Sequence, residues 1–84
     1  MEKLLITIGA ITTATRFASL MEKKAGKKAA VVQTPSALNT GGCSYSVKIK
    51  SDDLTDARLI SQKYKIPIRK IYKINGGEYN ALFG

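Results

Sequence analysis

The stretch Tyr45-Ser46-Val47-Lys48-Ile49-Lys50-Ser51-Asp52-Asp53-Leu54 decides the fold, because its pattern changes abruptly from one period to another. Tyr45, Val47 and Ile49 alternate with Ser44, Ser46, Lys48 and Lys50, the period of two expected of a strand with one covered face. Ser51-Asp52-Asp53 then offers a side-chain cap and first-turn carboxylates, both of which favour the positive end of a helix. Leu54, Ala57, Ile60 or Leu59, and Tyr64 supply the inner stripe of that helix. Ile66-Pro67 ends it, since a residue before proline avoids helical backbone angles.

The pattern upstream is similar. Lys3 to Ile8 is an apolar, β-branched run closed by Gly9, which reads as a strand buried on two faces. From Ile11 the apolar positions fall at helical spacing, Ile11, Ala14, Phe17, Ala18, Met21 and Ala25, with Thr13, Arg16, Glu22 and Lys23 largely on other faces. This helix starts near Ala10 or Ile11 and ends before Gly26, a residue suited to a left-handed cap. Ala29 to Thr34 is a second strand, stopped by Pro35, which has no N–H for a sheet ladder. Downstream of the decisive stretch, Ile68 to Ile74 is a last strand and Asn75-Gly76-Gly77 is a turn.

The resulting order is βαββαβ. Two split crossovers then give an α+β domain of the ferredoxin-like kind, a four-stranded antiparallel sheet with two helices on one face. The expected organisation is one domain over residues 1–75 followed by a C-terminal tail, 76–84, in which Tyr79, Leu82 and Phe83 either fold back, grip a neighbour or stay disordered.

Composition limits the chemistry. A single domain of this length buries about 60% of its unfolded surface, so a deep enclosed active site is not expected. The chain has no histidine and six acidic residues in all, which argues against metal sites and acid/base dyads. Its single cysteine, Cys43, forms no internal disulfide, and a reducing cytoplasm is the expected location. No apolar run approaches the roughly 18 residues of a membrane span. The net charge of +8 favours anionic partners, yet Lys23, Lys24, Lys27 and Lys28 cluster where the first helix ends and there complement its dipole.

Cys43 admits two readings, a small buried hydrophobe or a reactive thiol. Topology bears on the choice. With the third strand antiparallel to the first, Cys43 is expected near Gly9, Ala10 and the amino end of the first helix, where unpaired N–H donors and the helix dipole favour a thiolate. Gly41 and Gly42 offer backbone N–H groups as an anion-binding nest. Thr34, Lys65 and Arg69 are expected at the same edge. The connection from Pro35 to Gly42 is longer than the usual hairpin loop, a feature common in functional loops.

These residues also carry a resemblance. Val31-Val32-Gln33-Thr34-Pro35-Ser36-Ala37-Leu38, then Gly42-Cys43 and a strand, Asp53-Leu54 opening a helix, and a closing Ile71-Tyr72-Lys73-Ile74 resemble the small bacterial proteins described as putative selenium/sulfur carrier protein-like. The most specific part is Thr34-Pro35 followed eight residues later by Cys43. Two positions depart from the family pattern: Ser36 replaces a basic residue, removing an anion contact, and Ser44 replaces a glycine, restricting the backbone beside the thiol.

The resemblance implies that Cys43 is an acceptor thiol loaded as a persulfide or selenosulfide. Gly41, Gly42 and Ser44 would form a cradle, Thr12 and Thr13 would donate hydroxyls, Thr34 and Pro35 would complete the motif, and Lys65 and Arg69 would give electrostatic support. It implies no cofactor and no metal. The partners would be sulfur or selenium donor and acceptor proteins or small thiols, and the protein a carrier or binding protein more than a stand-alone enzyme.

Two alternatives stand beside this one. The first is a regulatory or assembly module, a homo-oligomer formed through the sheet face or the tail. The second is a single-stranded RNA binder using Tyr45 and Tyr72 on the open sheet face. The strands lack the basic-aromatic signature of the common RNA-binding module, so nucleic acid is not the expected partner. Neither is a membrane.

Overall fold

The computed structural model describes residues 2–38 and 44–83. Its elements are β1 (Lys3–Gly9), α1 (Ile11–Ala25), β2 (Ala30–Gln33), β3 (Tyr45–Lys50), a short 3-10 turn (Ser51–Asp53), α2 (Leu54–Lys63), β4 (Lys70–Asn75) and β5 (Glu78–Phe83). The strands form one antiparallel sheet in the order β2-β3-β1-β4-β5. The class is therefore α+β, as expected, but the sheet has five strands where four were anticipated.

The correction comes from the chain's last residues. Gly76 and Gly77 have φ of 57° and 89°, a pair of positive values that glycine adopts without steric cost and that a tight two-residue hairpin demands. The chain reverses there, and β5 pairs with β4 from Asn75 opposite Glu78 to Ile71 opposite Phe83.

Central β1 is buried from Leu4 to Ile8, which explains its nearly continuous apolar run. Leu4, Ile6 and Ile8 point to the side that also carries Val47, Ile49 and Ile71, and there they meet Ala14, Phe17 and Met21 of α1 and Ala57 and Ile60 of α2. Both helices thus cover the same face. Phe17 is fully buried at the centre of this layer, and removing a ring in such a place costs about 3–5 kcal/mol. α1 ends as expected at Gly26, with φ of 65° and its N–H donated to the Glu22 carbonyl.

The structure decides three local readings. Ser51–Asp53 makes no side-chain cap. Instead Asp53 is buried and its carboxylate lies 3.7 Å from Lys27 Nζ, joining the start of α2 to the segment after α1. Of the two candidates for the inner stripe of α2, Ile60 is buried and Leu59 is 59% exposed. Tyr45 packs against the helix-side core, so it is absent from the open face on which an RNA-binding role had placed it. No helix among the described residues is long and apolar enough to cross a membrane.

Candidate functional site

The register of β1 with β3 shifts between Thr7 and Gly9: Thr7 faces Ser46 and Gly9 faces Tyr45, so Ile8 and Gly9 together oppose one residue. This is a β-bulge, a device that ends regular pairing and re-aims the chain. Gly9 has φ of 116°, a conformation that side chains rarely allow. The chain turns there into α1, whose N-cap is Ala10. Among the described residues no side chain caps this helix, and no acidic residue stands in its first turn, so no first-turn carboxylate compensates its amino-end dipole.

Arg69 comes to this point from the other side of β1. Its N–H donates to the Thr7 carbonyl at 2.9 Å. The next residue, Lys70, is held by Thr7 in two ways: the Lys70 N–H donates to Thr7 Oγ1 at 2.9 Å, and that hydroxyl donates to the Lys70 carbonyl at 3.2 Å. Anchored so, the Arg69 guanidinium lies over Gly9, where a Cβ would come within 3.2 Å of Cζ and Nη2. The φ calls for glycine, and a Cβ there would make the end of the Arg69 side chain give way by a few tenths of an ångström.

On the far side of β3, the Thr34 N–H donates to the Ser44 carbonyl at 2.9 Å, extending the β2–β3 ladder by one pair. Thr34 is 6% exposed, and its Oγ1 shares a 2.6 Å hydrogen bond with Ser46 Oγ, itself fully buried. The Thr34 hydroxyl is thus engaged in holding the strand ends together. Pro35 follows, half-buried, and its carbonyl accepts from the Leu38 N–H at 2.9 Å. Among the described non-glycine residues Lys65 alone has a positive φ, 55°.

The structure brings Gly9, Arg69, the start of α1 and the entry to β3 to one end of the sheet, with Thr34 and Ser44 on the neighbouring strand pair. Thr12 is exposed and Thr13 half-buried in the first turn of α1. Lys65 is exposed in the turn after α2. Gly41, Gly42 and Cys43 lie outside the described residues.

Sequence reasoning missed the groove beside this end. A surface hollow of about 210 Å³ opens between α2 and the start of β4, lined among others by Arg58, Ser61, Ile68 and Arg69. Arg58 and Arg69 carry no local motif. They border one hollow because α2 and β4 contribute to the same core, and no period in either segment announces it.

No curated protein and no solved structure matches the chain. A family model does, the one described as putative Se/S carrier protein-like, over residues 3–73. That span runs from β1 into β4 and includes the Thr34-Pro35 pair, Cys43 and Arg69, so the chain belongs to the putative Se/S carrier protein-like family.

Proposed function

We propose that this protein carries sulfur or selenium on Cys43 and passes it between partners. The observation that carries the reading is the family match, which spans Cys43, the one thiol in the chain. The site geometry supports it: the amino end of α1, which no described side chain caps, and the Arg69 guanidinium over Gly9 put positive potential at the end of the sheet where β3 begins. Such a field favours a thiolate, the nucleophilic form, and an anionic loaded product.

In loading, the Cys43 thiolate attacks the terminal sulfur of a donor persulfide. The new S–S bond forms as the donor's own S–S bond breaks, the donor leaves as a thiolate, and Cys43 becomes a persulfide anion. With selenium the terminal atom is selenium and the product a selenosulfide. In unloading, an acceptor thiolate attacks that terminal atom and Cys43 is regenerated. Neither transfer changes the overall redox balance. Gly41, Gly42 and Ser44 supply the backbone cradle, Thr12 and Thr13 the hydroxyl donors, Thr34 and Pro35 the fixed strand end from which the loop departs, and Arg69 the charge. With no second cysteine to resolve the intermediate, release uses a partner protein or a small thiol.

Intact mass of protein purified without reductant tests this reading. The expected result is a species heavier by one sulfur or selenium atom, removed by thiol and absent from Cys43→Ser. A thiol that reacts with alkylating reagent only after unfolding would overturn it.

A further inference from the structure

The face of the sheet turned away from the helices carries charge of one sign. Register assigns Lys3, Lys48, Lys50 and Lys70 to it, because each alternates with a residue of the helix-side core. All six acidic residues lie elsewhere. Glu2 precedes β1 on the helix side and pairs with Lys73 at 3.0 Å; Glu22 is on α1; Asp52, Asp53 and Asp56 open α2; and Glu78 faces Asn75 on the helix side. Among the described residues none of the four lysines has a carboxylate partner.

Lys3 and Lys50 stand directly opposite one another, and Lys48 is two residues along β3 on the same face. Like charges in that relation destabilise a sheet. Local rules broken without internal compensation are expected at functional surfaces.

Two aromatic rings share the face. Tyr72 faces Leu5 and Ala81, and Tyr79 faces Ile74, so the two tyrosines occupy a diagonal pair of positions on this face, each half-buried. Ala81 is too small to cover the Tyr72 ring. Tyr79 reaches this face because β5 joins the sheet, which the sequence alone did not disclose.

We propose that this open face binds single-stranded nucleic acid, with Lys3, Lys48, Lys50 and Lys70 on phosphates and Tyr72 and Tyr79 stacked on bases. Cations that track a backbone beside rings that take bases are the two components of such binding. A duplex needs the cations and leaves the tyrosines idle. A second copy of this chain would set one lysine face against another.

Fluorescence anisotropy with mixed-sequence single strands of about 12 nucleotides, RNA and DNA, tests this against a hairpin duplex and anionic lipid vesicles. The expected result is preference for the single strands, with log K falling against log salt at a slope no steeper than about −2.8 for four neutralised phosphates. Lys48→Gln should reduce that slope by about 0.7. Tyr72→Leu and Tyr79→Leu, which keep apolar bulk and remove the aromatic face, should each weaken binding about tenfold at unchanged slope. Cys43→Ser should bind as the parent does, so the outcome is independent of the carrier chemistry. Equal affinity for duplex with no effect of the tyrosine variants would reduce the face to a general polyanion surface and overturn the proposal. So would preferential binding to vesicles, absence of binding at low salt, or a dimer in sedimentation that Lys48→Gln abolishes.

Discussion

The guanidinium of Arg69 rests on the backbone of Gly9, with Cζ and Nη2 each 3.2 Å from where a Cβ would stand. Gly9 belongs to a bulge at the end of β1, and Arg69 is tied to the same strand through the Thr7 carbonyl. The pair therefore joins the start of β4 to the turn that launches α1, and it brings a cation to that turn.

Gly9→Ala is expected to destabilise the fold by about 1–3 kcal/mol, since alanine is strained at a φ of 116°. The flexible end of Arg69 can yield by a few tenths of an ångström, so the backbone is the main cause. Most of the loss should persist in Gly9→Ala/Arg69→Ala, read by urea denaturation. Full rescue in the double variant would make the side-chain clash the cause instead.

Arg69→Gln addresses the charge. On the proposed carrier chemistry it should slow modification of Cys43 by an anionic disulfide reagent several-fold more than by a neutral alkylating reagent, and added salt should narrow the gap. Equal slowing of both reagents would leave Arg69 a packing role alone.

Thr34 and Ser46 share a buried 2.6 Å hydrogen bond. Thr34→Val and Ser46→Ala should each cost about 1–3 kcal/mol, because each strands the other hydroxyl. The double variant should lose less than the sum. An additive cycle in thermal or urea unfolding would show that the two hydroxyls act separately.

The Gly76-Gly77 hairpin yields to a comparison of substitutions. With φ of 57° and no atom within 4 Å of an added Cβ, Gly76→Ala should cost about 1–2 kcal/mol for conformation alone. Gly76→Asn should be close to neutral, since asparagine tolerates this conformation and Asn-Gly is a favoured hairpin turn. Loss of β5 pairing would be seen as faster amide exchange in β4.

Much of the fold was legible in short stretches. The apolar run of β1, the helical spacing of α1 with Gly26 behind it, and the alternation of β3 each reflect a demand made by local geometry. β5 was not read, although a Gly-Gly pair between Asn75 and Glu78 is a hairpin signal in itself. Its apolar residues alternate weakly and end in adjacent Leu82 and Phe83, because an edge strand takes its order from the partner's ladder more than from a buried face. Asp53 misled for a related reason. Its carboxylate suits a cap by type, but Lys27, distant in sequence, lies within ion-pairing reach once α1 and α2 are packed.

The same division holds for the site. Residue type alone singled out Cys43 and the Thr34-Pro35 pair, because a lone thiol and a strand-breaking proline are chemically distinct wherever they fall. Which residues would stand beside them could not be read that way. The bulge at Gly9 sets the register of β1 against β3, and that register, with the pairing of β1 to β4, decides that Arg69 meets Gly9 and that four lysines share a face with two tyrosines. Period and propensity act over a few residues and are written in the chain. Register depends on strands far apart in sequence and exists only once they are paired.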